Sequence, residues 1–118
     1  MTGVLLVGRF LRYILSLAAR SDFRRLSESE KRLFTRAVRE FNAAADRFIE
    51  TKDQSSWPSS LRIKQVSSAP GVFEMTWSYS GPDGRATWEW TTVTDEVGTK
   101  NPAVRWRRIG GHNVFQGP

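Results

Sequence analysis

The sequence predicts an α+β domain with a short N-terminal strand, two helices and then a twisted antiparallel sheet of about four strands. A capping box followed by a long apolar stripe at helical spacing fills the middle of the first half, and four segments of alternating apolar and polar residues fill the second. Between them, Thr51 to Ser60 is a polar connector broken by Pro58. At 118 residues, the chain 1–118 reads as a single domain, long enough for one core and too short for two.

Val4 to Val7 is a short β-branched and leucine run, compatible with a strand. From Arg9 to Leu26 the apolar residues Phe10, Ile14 and Leu17, with Leu11, Leu15 and Ala18 beside them, recur at helical spacing and predict the first helix. The apolar stretch Met1 to Ala19 is not read as a membrane span. Arg9 and Arg12 interrupt it, and the uncharged runs fall well short of the roughly 18 to 20 residues a span requires. No basic segment of a secretory leader precedes Val4. The expectation is a cytoplasmic protein without membrane contact.

Ser27 with Glu30 three residues later predicts a helix start, because hydroxyl and carboxylate satisfy amide groups that have no partner in the first turn. From there Phe34, Val38, Phe41, Ala45 and Phe48 form one apolar stripe, while Arg36, Arg39, Glu40, Asp46 and Arg47 fall on the solvated side. Beyond the connector, strands are predicted over Leu61 to Val66, Val72 to Tyr79, Arg85 to Val93 and Ala103 to Ile109. The turn-rich pieces Ser68 to Gly71, Ser80 to Gly84 and Asp95 to Pro102 join them as a meander.

Alternation along these strands separates two faces. Leu61, Ile63, Phe73, Met75, Trp77, Ala86, Trp88, Trp90, Val104 and Trp106 share one parity and are assigned to the helix-covered side, which makes the tryptophans core. The other parity holds Arg62, Lys64, Glu74, Thr76, Arg85, Thr87, Glu89, Arg105 and Arg107, an open face rich in cations. The chain carries 18 Lys and Arg against 12 Asp and Glu, a formal charge of +6, which suits nucleic acid or another acidic partner. With no cysteine and one histidine, disulfides and thiolate zinc sites are excluded and a conventional imidazole metal site cannot be assembled. No metal and no cofactor are expected.

The single histidine, His112, follows Arg105, Arg107 and Arg108 behind Gly110 and Gly111. Arginine neutralises phosphate with forked donors, and histidine titrates near neutral pH, so the two together suit chemistry on a phosphodiester.

The patches Leu61-Arg62-Ile63-Lys64, Gly71 to Trp77, Gly84 to Thr87 and above all Trp106-Arg107-Arg108-Ile109-Gly110-Gly111-His112-Asn113-Val114-Phe115, in this order after a helical pair, resemble the RelE/ParE superfamily of bacterial toxins. The last patch is similar to the tail of RelE- and YafQ-like ribosome-dependent ribonucleases. The resemblance implies the toxin of a type II toxin–antitoxin pair, cutting messenger RNA in the ribosomal A site by attack of the 2′-hydroxyl on the adjacent phosphorus. It implies His112 as the proton-transfer residue, Arg85, Arg105 and Arg107 on the scissile phosphate, Arg62 and Lys64 on the RNA backbone, and Phe115 beside a base. The implied partners are the ribosome, messenger RNA and an acidic antitoxin. The chain departs from some of those ribonucleases in having no second histidine. The ParE branch, which inhibits gyrase without cutting RNA, and an inactive relative acting as a binding module remain the alternatives.

Overall fold

The computed structural model describes residues 4–6, 12–78 and 83–118, with the side chains of 4–6, Arg12 and His112 outside that description. It shows an α+β architecture: β1 (Val4–Leu6), β2 (Arg12–Leu15), α1 (Leu17–Arg25), α2 (Glu28–Thr51), β3 (Lys64–Gln65), β4 (Val72–Ser78), β5 (Gly84–Thr94) and β6 (Lys100–Gly110). Three 3₁₀ turns, Gln54–Ser56, Ser59–Leu61 and His112–Gln116, complete the order. The sheet has six strands in the order β1-β2-β6-β5-β4-β3 and is mixed, because β2 runs parallel to β6. The expected antiparallel sheet of about four strands is thus corrected. Two strands on the β1 side extend the meander, and one of them enters by a crossover through both helices.

The helix expected from Arg9 begins only at Leu17. Arg12 to Leu15 is a strand, while Val7, Arg9, Phe10 and Leu11 lie outside the described residues. The physical reason is visible in which residues reach the core. Tyr13 and Leu15, two apart, pack against it, whereas Leu17, which the helical reading needed inside, is 77% exposed. Ser16 makes the switch from strand to helix. Its N–H donates to Trp106 O at 3.0 Å, its hydroxyl donates to Arg107 O at 2.8 Å, and the same Oγ accepts from Ala19 N at 3.0 Å as the N-cap of α1.

At the start of α2 the capping box forms as the sequence predicts, with Glu30 N donating to Ser27 Oγ at 3.1 Å and Ser27 N to Glu30 Oε1 at 2.8 Å. The apolar stripe lies on the sheet. Phe34 meets Trp77 and Trp106 edge-on at 5.9 and 5.6 Å, and Phe41 meets Trp88 and Trp106 at 4.8 and 4.9 Å. The polar connector contributes as well. Trp57 leaves it to pack on Phe41 at 5.2 Å and Phe48 at 5.4 Å, an aromatic between two 3₁₀ turns that the polar composition concealed.

Strand boundaries shift for local reasons. The segment 61–66 keeps only Lys64–Gln65 as strand, because Ser59–Leu61 is a 3₁₀ turn closed by Arg62 at φ 47°. The long hairpin turns at Asp95 to Thr99, where Asp95 N donates to Thr99 O at 2.9 Å and Gly98 takes φ +86°. β6 therefore starts at Lys100. Pro102 sits just before the first residue paired with β2, a place where a missing N–H is tolerated. Gly84 is demanded by packing. A Cβ there would fall 2.4 Å from the Trp77 ring, whose Nε1 donates to Arg85 O at 2.9 Å. Tyr79, Ser80, Gly81 and Pro82 lie outside the described residues.

The predicted core parity holds in β4, β5 and β6: Met75, Trp77, Ala86, Trp88, Val104 and Trp106 all belong to the helix-side cluster. Trp106 is 1% exposed and touches both Phe34 and Phe41, so Trp106→Ala is expected to cost about 3 to 5 kcal/mol of stability. Urea denaturation measures this.

Candidate site on the far face of the sheet

The register across the sheet places the polar parity in cross-strand rows. Lys64 pairs with Glu74, Glu74 with Thr87 and Thr87 with Arg108, making one row over four strands. Arg105 pairs with Glu89 in a second row, and Arg85 with Gly110 in a third. Between Thr87 and Trp88 the register shifts, so that Trp88 faces Trp106 while Thr87 faces Arg108, leaving Arg107 as the extra residue of a β-bulge. Trp106 and Ile109 both belong to the core cluster. Arg107 and Arg108, lying between them, therefore both fall on the far face, with Arg108 beside the strand edge where it reaches Asp22 of α1.

Each cation here has an acidic partner. Glu89 takes Arg107 Nη1 at 3.0 Å and Arg105 Nε at 3.9 Å, so one carboxylate serves two guanidiniums. Lys64 Nζ lies 3.9 Å from Glu74, its cross-strand ion-pair partner. Arg85 is nearly enclosed, with its side chain 11% exposed and its guanidinium on Asp83 at 3.2 Å and on Gly84 O at 3.3 Å. Arg108 is the most firmly held. Asp22 on α1 accepts from its Nε at 2.8 Å and its Nη2 at 3.2 Å, and also from Ile109 N at 2.9 Å. That hydrogen-bonded pairing pushes the Arg108 guanidinium above its ordinary value.

The expected open face is not fully open. After Gly110 the chain turns through His112–Gln116 and returns over β5 and β6. Val114 is 1% exposed, Thr87 is 0% exposed, and the Thr87 hydroxyl donates to Pro118 O at 3.0 Å. Arg107 Nε donates to the same oxygen at 2.9 Å. Thr76, also expected on the open face, is buried.

The predicted site residues therefore separate into groups. Arg105 and Arg107 stand together on β6 around Glu89. The backbone of His112 begins the 3₁₀ turn two residues after Gly110, the partner of Arg85, so His112 and Arg85 meet at the same end of the sheet at the level of the backbone. Phe115 is half-buried in that turn. Lys64 lies on the opposite edge strand, and Arg62 leaves the sheet altogether as the left-handed cap of a 3₁₀ turn, which corrects its expected place in a strand.

Alternation placed Thr87 on this face without revealing its role as an anchoring hydroxyl, and it missed Arg108 as a face residue. A bulge resets parity, and no local signal announces it. A second cationic surface also emerges, on α2, where Arg32, Arg36 and Arg39 are exposed and take no carboxylate partner among the described residues. Among the described residues no helix is long and apolar enough to cross a membrane.

In comparisons with protein families, curated proteins and solved structures, nothing matches the chain.

Asp22 is the residue on which the geometry of this face turns. It holds Arg108 and satisfies the Ile109 backbone N–H of β6. Asp22→Asn is expected to destabilise the fold by about 1.5 to 3 kcal/mol, the range for hydrogen bonds to a charged group. Thermal melting checks it.

Proposed function

We propose that the protein is a RelE/ParE-like toxin of a bacterial type II toxin–antitoxin pair, a metal-free ribonuclease that cuts messenger RNA in the ribosomal A site in the cytoplasm. The observation that carries this reading is the row of guanidiniums on β6. Arg105, Arg107 and Arg108 share one face, and the only histidine follows within four residues of the last. Forked donors on adjacent positions suit the non-bridging oxygens of a phosphodiester, and they stabilise charge that builds on those oxygens as the 2′-hydroxyl attacks phosphorus. The nucleophile belongs to the substrate, so the protein has to move protons and hold charge.

In this reading the 2′-hydroxyl gives its proton to water as its oxygen bonds to phosphorus, the bond from phosphorus to the 5′-oxygen breaks, His112 protonates that departing oxygen, and Arg107 and Arg85 bind the phosphoryl group. Arg105, Lys64 and Arg62 meet the flanking backbone, and Phe115 packs beside a base. The existing ion pairs do not forbid it. Arg105 and Glu89 are partly exposed, with side chains 51% and 26% accessible, and pairs of that kind contribute about 0 to 1 kcal/mol, which a phosphate can displace. An acidic antitoxin segment that folds on binding would compete for the same cations, more weakly as salt rises.

A second reading is a binding module without cleavage, either ParE-like and directed at gyrase or an inactive relative. The burial of Arg85 favours it, because that guanidinium is occupied by Asp83 and reaches a phosphate only after local rearrangement.

Induced expression distinguishes the two. The ribonuclease reading predicts growth arrest with loss of full-length messages, whereas intact messages with altered DNA supercoiling favour the gyrase-directed alternative. His112→Ala is expected to lower the single-turnover cleavage rate on programmed ribosomes by about 10² to 10⁴-fold while leaving ribosome association unchanged. Cleavage at the parent rate removes His112 from the chemistry.

A further inference from the structure

Three donors from two strands converge where segment 112–118 crosses the sheet. Thr87 Oγ1 and Arg107 Nε both donate to Pro118 O, at 3.0 and 2.9 Å, and Arg108 Nη1 lies 3.4 Å from Gly117 O. Both guanidiniums are also held by carboxylates outside the segment. Arg107 Nη1 is on Glu89 at 3.0 Å, and Arg108 Nε and Nη2 are on Asp22 at 2.8 and 3.2 Å. The aim of the three converging donors is therefore set by Glu89, Asp22 and the β5 backbone, not by the segment they hold. A fully buried hydroxyl and two oriented guanidiniums form the donor set of an oxyanion site.

We propose that Thr87, Arg107 and Arg108 form a phosphodiester-binding site whose present occupant is the protein's own segment 117–118, a self-ligand that RNA backbone must displace. The proposal rests on reading this sheet face as an RNA surface, and it adds to that reading both the binding residues Thr87 and Arg108 and a means of control. The anchor of the strap is Val114, buried against Gly110, where an added Cβ would fall 3.2 Å from Val114 Cγ1. Beyond the anchor, Gln116 and Gly117 are exposed, and the backbone bond from Gly117 N to Val114 O, at 3.3 Å, is local to the turn. Lifting residues 117–118 therefore breaks their contacts with the three donors while leaving the core and the sheet in place. A site masked in this way binds more weakly by the fraction of molecules in which the strap is open.

The test is a titration of the ¹⁵N-labelled full chain with a short 2′-O-methyl oligoribonucleotide, which cannot be cleaved by 2′-hydroxyl attack. The Arg107 Nε–H signal and the Gly117 amide signal are expected to move together along one saturation curve, Gly117 toward its unstructured position. With the strap released by Val114→Asp, adding Thr87→Val should weaken that binding about ten- to a hundredfold, the loss of one hydrogen bond to a charged acceptor. Val114→Asp, which puts a carboxylate at the anchor, should strengthen it about ten- to a hundredfold if the strap is closed in roughly 90 to 99% of molecules. Movement of Arg107 with Gly117 unchanged, or no movement of either, overturns the proposal, and the wild-type titration decides this even if a variant fails to fold. Joint displacement in a protein that leaves cellular messages intact would instead remove the ribonuclease reading and keep the site.

Discussion

Trp106 and Ile109 both face the helices although they are three residues apart, and the arrangement of the opposite side of β6 follows from that constraint. A regular strand would return to the core every second residue. Here the bulge opposite the Thr87–Trp88 step lets Trp106 sit against Phe34 and Phe41 while Ile109 faces the core opposite Ala86. The residues in between are pushed together onto the far face. Two adjacent guanidiniums result where ordinary alternation would give one. The aromatic core therefore fixes the spacing of the charged surface.

The edge of β6 needs its own solution, because β2 stops pairing at Trp106 while β6 runs on to Gly110. Unpaired edge groups invite association with other chains. Ser16 and Asp22 cover them, Ser16 through the Trp106 and Arg107 carbonyls and Asp22 through the Ile109 N–H. The crossover from β2 into α1 thus serves as a side wall for β6. Asp22 also links that wall to the site through Arg108, so the strand edge and the charged face are held by one carboxylate.

What the sequence made legible was local. The capping box at Ser27 and Glu30 and the stripe from Phe34 to Phe48 read directly as α2, since both signals lie within one helix. Strand parity located Met75, Trp77, Trp88 and Trp106 inside, because side chains alternate whatever the partner. The misses were non-local. Ile14 and Leu15 fit a helical stripe as well as a strand, and the choice is made by β6, about ninety residues away. The closeness of His112 to the arginines was legible along the chain. The return of residues 112–118 over Thr87 was not, because that segment has no periodicity and is held by Val114 and by single hydrogen bonds. The ion pairs were equally hidden, since Glu89 and Asp22 gain their roles only from register and crossover.

Under the proposed function, two cationic surfaces compete for the role of RNA contact: the β6 face, where arginines are paired yet oriented, and the α2 ridge, where Arg32, Arg36 and Arg39 are exposed and take no carboxylate partner among the described residues. Orientation decides in favour of β6, because preorganised forked donors lose less freedom on meeting phosphate than mobile ones. The direct measurement is the salt dependence of RNA binding for two variants of equal charge, Arg105→Ala/Arg107→Ala and Arg32→Ala/Arg36→Ala. Loss of two phosphate contacts should flatten the log–log slope by about two units in the β6 variant and leave the α2 variant near the parent. A flattened slope in the α2 variant with the β6 variant unchanged would contradict the account.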